Sequence, residues 1–171
     1  MARNGAPDKR RIILDAAVRV FARQGFHTCR VSDIADEAGV AYGLVYHYFQ
    51  SKDEVLDTLF LDRWGVMLEA IREIDARDIP ARDKLRGIAS FIVDSYRYDP
   101  DLMKVIIVEV TRAANSFGAA HLEDITEAYH LTGGIVAKAQ ADGQFRPEIS
   151  AEFAARVTST MITFMTSGSC R

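Results

Sequence analysis

Apolar residues recur every three or four positions along almost the whole of this chain, and the apolar–polar alternation that marks a strand is nearly absent. That regularity leaves little besides an all-α fold. Proline sharpens the picture. Pro7, Pro80, Pro100 and Pro147 are the whole set. Each stands where a helix can begin or end, and none interrupts a periodic stretch.

Eight helices follow from the pattern. Ile12, Ile13, Ala16, Ala17, Val20 and Phe21 give a first helix over 8–24 one apolar face, with Arg10, Arg11, Arg19 and Arg23 largely off it and Gly25 as its stop. Two short helices are predicted over 31–38 and 42–48. Ile34, Ala35 and Ala38 turn inward in the first, Val45 and Phe49 anchor the second, and Gly39 lies between them. Ser51 and Glu54 have the spacing of a capping box and open a long fourth helix over 52–77, striped by Val55, Leu56, Leu59, Phe60, Met67, Leu68, Ile71 and Ile74. A fifth begins at Pro80, carries Leu85, Ile88, Phe91 and Ile92, and closes near Asp99-Pro100. The sixth, over 101–115, is apolar round most of its circumference. The seventh, over 119–141, contains Gly133-Gly134, where a bend or a close helix contact is expected. The last, over 151–166, is capped by Ser150.

Charge divides the chain unevenly. Residues 1–52 hold 8 Lys/Arg against 5 Asp/Glu, and residues 53–171 hold 13 against 19. A basic front on an acidic remainder suits a chain with two tasks, one of them at a polyanion. Two cysteines, Cys29 and Cys170, are too few for a disulfide scaffold. No apolar run spans a bilayer, and the polar start MARNGAPDKRR is not a secretory leader. These features point to the cytoplasm, with reduced thiols and no membrane partner.

Two short helices joined by a glycine turn, behind a longer first helix, make a helix-turn-helix pattern. The second short helix of such a unit enters the major groove, so its outer face carries small or hydrogen-bonding side chains. Here that face offers Tyr42, Gly43, Tyr46 and His47. Lys52, at the start of the next helix, sits where its charge and the backbone N–H groups favour a phosphate.

The run from Val31 to Leu56, with Ile13-Leu14-Asp15-Ala16-Ala17, Phe21 and Gly25-Phe26 ahead of it, resembles the DNA-binding signature of the tetracycline-repressor (TetR/AcrR) family. Gly25-Phe26-His27 and Gly39-Val40-Ala41-x-Gly look similar to that family's regulators of fatty-acid degradation. Ala141-Asp142-Gly143-Gln144-Phe145, followed by Pro147, resembles the segment before its dimerisation helices. The resemblance implies an N-terminal helix-turn-helix domain over 1–51 and a helical ligand-binding and dimerisation domain over 52–171. It implies that Tyr46 and Lys52 grip backbone phosphates. Tyr42, Gly43, Leu44 and His47 would face base edges, with Tyr48 counted in the same run, and Arg30 and Ser32 would touch phosphate or a groove edge.

Two positions depart from the family pattern. Ala41 stands where serine often caps the recognition helix and bonds a phosphate. Leu44 stands where threonine or serine is common, and leucine offers only an apolar contact, for instance to a thymine methyl. The weight of sequence choice is then expected on His47, Tyr42 and arginines from other elements.

Trp64, Met67, Phe91, Tyr96, Arg112, Asn115, Tyr129 and His130 are the candidates to line a ligand cavity, with plain packing or exposure the alternative for each. His27, His121 and His130 lack metal-ligand spacing. Cys29 reads as an inert small residue rather than a redox switch. Arg3, Lys9, Arg10 and Arg11 either track a groove or merely solvate an arm. No nucleophile–base set, P-loop or HExxH motif occurs, so neither an enzyme nor a cofactor is expected.

The function expected is a ligand-responsive transcriptional repressor. It would bind a pseudo-palindromic double-stranded operator as a homodimer and be released by a small, largely apolar effector such as a fatty acyl-CoA. The alternative is a helical small-molecule sensor or carrier without effective DNA binding. The chain ends at Arg171, just after the first of the two interface helices usual in such proteins. Either a longer chain or a reduced interface is then expected.

Overall fold

A computed structural model of the chain describes residues 8–112, 121–148 and 150. Among these residues there are seven helices and no strand: α1 (Lys9–Gln24), α2 (Val31–Ala38), α3 (Tyr42–Tyr48), α4 (Lys52–Asp75), α5 (Ala81–Tyr98), α6 (Pro100–Arg112) and α7 (Leu122–Ala141). The expected last helix over 151–166 lies outside the described residues.

Local chemistry sets most of these boundaries. Asp8 accepts from the Arg10 N–H and caps α1, and the Gly25 N–H closes it on the Phe21 carbonyl. The α2–α3 turn depends on Gly39, whose φ of 63° and ψ of 37° are left-handed. The Val40 N–H reaches the Ala35 carbonyl at 3.0 Å across it. A side chain at position 39 would meet nothing within 4 Å, so backbone strain alone selects glycine there. Ser51 caps α4 by accepting from the Glu54 N–H at 3.1 Å. The Glu54 carboxylate returns to the N–H of Gln50, one residue earlier than a standard capping box.

Two boundaries differ from the sequence reading. The last turn of α4 ends at Asp75, its final carbonyls closed by the N–H groups of Ala76 and Arg77. Pro100 itself opens α6, a position where the missing N–H costs no helix bond. And α7 runs unbroken through Gly133-Gly134, Gly133 buried and Gly134 facing open space.

One apolar core joins the two halves. Ile13, Val20 and Phe21 of α1, Ile34 of α2, Val45 of α3 and Val55 and Phe60 of α4 are all at most 4% exposed. Each such side chain contributes about 1.5–3 kcal/mol by leaving water. Farther along, Trp64, Leu68, Ile71 and Ile74 of α4 pack with Ile88 of α5, Leu102, Val105 and Ile106 of α6 and Ile125, Ala128 and Ile135 of α7. The first half of α4 therefore belongs to the three-helix head, and the second half to the helical body. In addition α1 packs directly on α6.

Candidate nucleic-acid interface

Recognition-helix geometry starts from what α3 buries. Val45 and Phe49 are 1% and 2% exposed, pinning one flank to the core, while Tyr42, Gly43, Tyr46 and His47 stand free on the other. Leu44 and Tyr48 lie at the margins, half-buried. Ala41 occupies the cap position and makes no side-chain bond to the helix, so α3 is held by its packing rather than by a cap.

The outer flank is ordered by its own aromatic side chains. The Tyr42 and Tyr46 hydroxyls share a hydrogen bond, 3.2 Å between oxygens, and the two rings meet edge-to-face, 5.1 Å between centroids. The bond to Tyr42 holds the Tyr46 phenol above its ordinary range, so Tyr46 remains a neutral hydroxyl at physiological pH. The His47 imidazole leans on Tyr48 at 5.1 Å.

Lys52 is engaged more deeply than its position in the sequence suggests. Its Nζ donates to the carbonyl of Phe26 at 2.5 Å and to that of Cys29 at 2.8 Å, and it lies 4.6 Å from the centre of the Phe26 ring. Two of its three N–H donors thus hold the α1–α2 loop onto the start of α4. Nothing in the sequence marked those acceptors, because backbone carbonyls carry no residue signature.

Around α3 the basic residues separate into two groups. Arg19 and Arg23 both bind Glu37, at 2.7 and 3.0 Å, and hold its carboxyl below the usual glutamate range. They tie α1 to α2. Arg10 places its guanidinium 5.4 Å from the Phe49 ring, beside the end of α3. Arg30 is exposed at the start of α2, where its N–H is capped by Asp33 at 2.8 Å, and Ser32 is half-buried in the first turn. Cys29 is buried, its thiol donating to the Phe26 carbonyl at 3.3 Å. Burial raises its pKa, against the pull of nearby Lys52, which keeps it a thiol.

The candidate ligand residues stand in different environments. Trp64 is buried, stacked 5.2 Å from Phe60, and its indole N–H donates to the Asp124 carbonyl at 2.9 Å. Met67, Phe91, Tyr96 and Tyr129 are half-buried. His130 is exposed on α7, in a shallow hollow with Glu123, Thr126 and Glu127, and is not brought together with Trp64. Asn115 and the side chain of Arg112 lie outside the described residues. A cleft of about 820 Å³ separates α1 from α4 and the α5–α6 corner, and none of these candidates lines it.

Sequence reasoning treated His121 only as a failed metal ligand. It is 6% exposed, bonded through Nε2 to Asp57 at 3.0 Å and packed 4.6 Å from the Phe60 ring. Together with the Trp64–Asp124 bond it fastens the start of α7 to α4. Among the described residues no cluster of three His, Cys, Asp or Glu side chains forms a metal site, and no helix is long and apolar enough to cross a membrane.

A head of three helices with an anchored, outward-facing third helix, joined by a continuous α4 to a helical body, defines a helix-turn-helix DNA-binding regulator. Comparison with known proteins agrees. Residues 13–59 match the bacterial regulatory proteins of the tetR family. The chain is 31% identical over 143 residues to the fatty acid metabolism regulator protein of Bacillus subtilis (strain 168), covering 83% of this chain and 73% of that one. It is 28% identical over 154 residues to the HTH-type transcriptional repressor KstR2 of Rhodococcus jostii (strain RHA1), covering 90% and 76%. Among solved structures, the fatty acid degradation regulator FadR from Bacillus halodurans superimposes with a TM-score of 0.79 at 27% identity, over 97% of this chain and 85% of that one. FadR from Bacillus subtilis in complex with stearoyl-CoA does so with a TM-score of 0.77, also at 27% identity, over 92% and 85%. The chain belongs to the tetR family and is a DNA-binding transcriptional regulator.

Proposed function

We propose that this protein is a cytoplasmic homodimeric repressor, with no catalytic activity, that occupies a pseudo-palindromic operator and is released by a long-chain acyl-CoA. The observation that carries the DNA half is the disposition of α3, with Val45 and Phe49 buried and Tyr42, Gly43, Tyr46 and His47 free. One such helix reads only a few base pairs. Two copies related by a twofold axis give the affinity and the half-site symmetry that repression needs.

The effector half rests on the likeness to the two FadR proteins, one of them solved with stearoyl-CoA. It also rests on aromatic and sulfur side chains at α4, α5 and α7 that are only half-buried, namely Met67, Phe91, Tyr96 and Tyr129. Release follows if the effector binds better to the form in which the two recognition helices are misspaced. Differential affinity of about 100-fold, roughly 2.7 kcal/mol, suffices to shift the population substantially.

Fluorescence anisotropy on labelled DNA flanking the gene, with nonspecific competitor and then with stearoyl-CoA, tests both halves. Binding that survives competitor and is reversed by stearoyl-CoA supports the reading. Binding that stearoyl-CoA leaves intact removes the effector class. Absence of competitor-resistant binding leaves a small-molecule sensor without DNA function.

A further inference from the structure

We infer that His121 is a polar contact of the effector: its Nδ1 accepts a hydrogen bond from an O–H or N–H group of an otherwise apolar ligand, and Asp57 holds the ring in the tautomer that does so. This rests on the reading that the helical body takes a small-molecule effector. His121 is 6% exposed and stands at the N-cap of α7. Its Nε2 lies 3.0 Å from the Asp57 carboxylate, and its ring packs 4.6 Å from that of Phe60. A carboxylate only accepts, so in the neutral ring the bond to Asp57 places the proton on Nε2. Nδ1 is left as a bare acceptor. Among the described residues it is the one buried side-chain nitrogen or oxygen without a hydrogen-bond partner.

The structural uses open to that nitrogen are not taken. A side-chain acceptor at an N-cap can bond an N–H of the first turn, and His121 makes no such bond. Trp64, the other polar ring between α4 and α7, spends its indole N–H on the Asp124 carbonyl at 2.9 Å. Nδ1 therefore remains an unspent polar atom beside Phe60, and a packed core seldom keeps one without a use for it. Its chemistry selects the ligand group. Carboxylate, phosphate and thioester oxygens are acceptors and gain nothing from a second acceptor. A donor does. An acyl-CoA offers two sources: an amide N–H of the pantetheine arm, common to all of them, and a hydroxyl on the acyl chain, present only in hydroxylated ones.

The test uses the full chain with stearoyl-CoA and its β-hydroxy derivative, binding being measured by calorimetry and the imidazole nitrogens by NMR. The His121 signals are identified by their loss in His121→Asn. In the free protein Nε2 is expected to be protonated, and Nδ1 unprotonated and without a hydrogen bond. On saturation the Nδ1 signal moves upfield, as a nitrogen does when it begins to accept. His121→Phe weakens binding by about 3–10-fold, the scale of one neutral hydrogen bond, and does not lower the melting temperature of the free protein. His121→Asn, which keeps an acceptor oxygen near the Nδ1 position, recovers part of the affinity. A loss with both probes assigns the donor to the pantetheine amide, and a loss confined to the β-hydroxy derivative assigns it to the chain hydroxyl.

An Nδ1 that is protonated or already hydrogen-bonded in the free protein overturns the inference. So does an Nδ1 signal that neither probe moves, whatever the variants do, or an affinity that His121→Phe leaves unchanged for both. If the unsubstituted protein binds neither probe, the effector reading fails and takes the inference with it. Binding with an unmoved Nδ1 removes the inference alone.

Discussion

Replacing Lys52 by methionine separates two accounts of the same residue. The side-chain stem keeps its length and apolar surface, and only the ammonium is lost. In the structure that group makes two charge-assisted bonds to the carbonyls of Phe26 and Cys29 and lies over the Phe26 ring. Bonds from a charged donor contribute about 1.5–3 kcal/mol each, and the cation–π contact about 0.5–1 kcal/mol at a partly exposed site. Water can replace part of this at a half-buried residue, and the terms are not additive. A net loss of about 2–4 kcal/mol is expected. In urea, with a slope of roughly 1–3 kcal/mol per molar, the unfolding midpoint should fall by about 1–2 M at constant slope.

The third N–H of Lys52 is left for a phosphate. The DNA affinity of Lys52→Met should therefore also drop, and its salt dependence should decrease by about one counterion. A planar guanidinium cannot aim two N–H groups at these carbonyls as the compact ammonium does, so Lys52→Arg should restore the salt dependence but not the full stability. The reasoning is refuted if Lys52→Met unfolds at the wild-type urea concentration while its DNA affinity alone suffers. That result would mean the ammonium leaves the loop and serves DNA only.

Gly39→Ala forces a left-handed φ of 63° on a residue with a Cβ. It should cost about 1–2 kcal/mol, seen as a fall of roughly 2–8 °C in thermal unfolding, and an unchanged melting temperature would contradict the turn geometry. Glu37 has its carboxyl pKa lowered by hydrogen bonds from Arg19 and Arg23. The stability it contributes is therefore present above the unfolded glutamate value of about 4.3 and is lost as pH falls through the lower folded value. Glu37→Gln should flatten that acid limb in a pH series of unfolding midpoints, and an identical limb would assign it to other carboxylates. Trp64 is the sole tryptophan and is buried at the α4–α7 junction. Emission should be blue-shifted in the free protein and change on titration with stearoyl-CoA, whereas emission indifferent to a ligand that releases DNA would remove Trp64 from the effector site.

Helix boundaries were legible where a side chain or a glycine sets them. Asp8, Gly25, Gly39 and Ser51 close or open helices as expected, and α2 and α3 begin and end where periodicity placed them. Most of the inward set of α4 was legible for the same reason: Val55, Leu56, Leu59, Phe60, Leu68, Ile71 and Ile74 are buried, whereas Met67 of the expected stripe is only half-buried and Trp64, outside it, is buried. At Gly133-Gly134 the expectation was a bend or a close helix contact; α7 runs on as helix, and Gly133 is buried while Gly134 is exposed, the glycine penalty of about 1 kcal/mol per residue being offset by burial elsewhere along α7. The ligand candidates were the least legible. Aromatic and histidine positions on one helix say which face they share, but not what the facing helix brings. His130 turned outward while His121, at the helix start, turned in.

Least legible of all were contacts made to backbone, and these bear most directly on how the two halves of the molecule communicate. Lys52 of α4 reaches the carbonyls of Phe26 and Cys29, and Lys104 of α6 reaches the carbonyl of Ala22 at 3.2 Å. Lys52, at the start of α4, and Lys104, from the helical body, thus hold the loop after α1 and the end of α1 itself, immediately ahead of the recognition unit. These three bonds are short-ranged and charge-assisted, so a shift of α4 or α6 by an ångström or two either drags that segment along or breaks them. A repressor in which the effector domain merely abutted the head could change shape without disturbing α3. Here Lys104 ties α6 to the end of α1 and α4 runs without a break from the head into the body, so a displacement of either helix is expected to reach the segment that leads into α2 and α3.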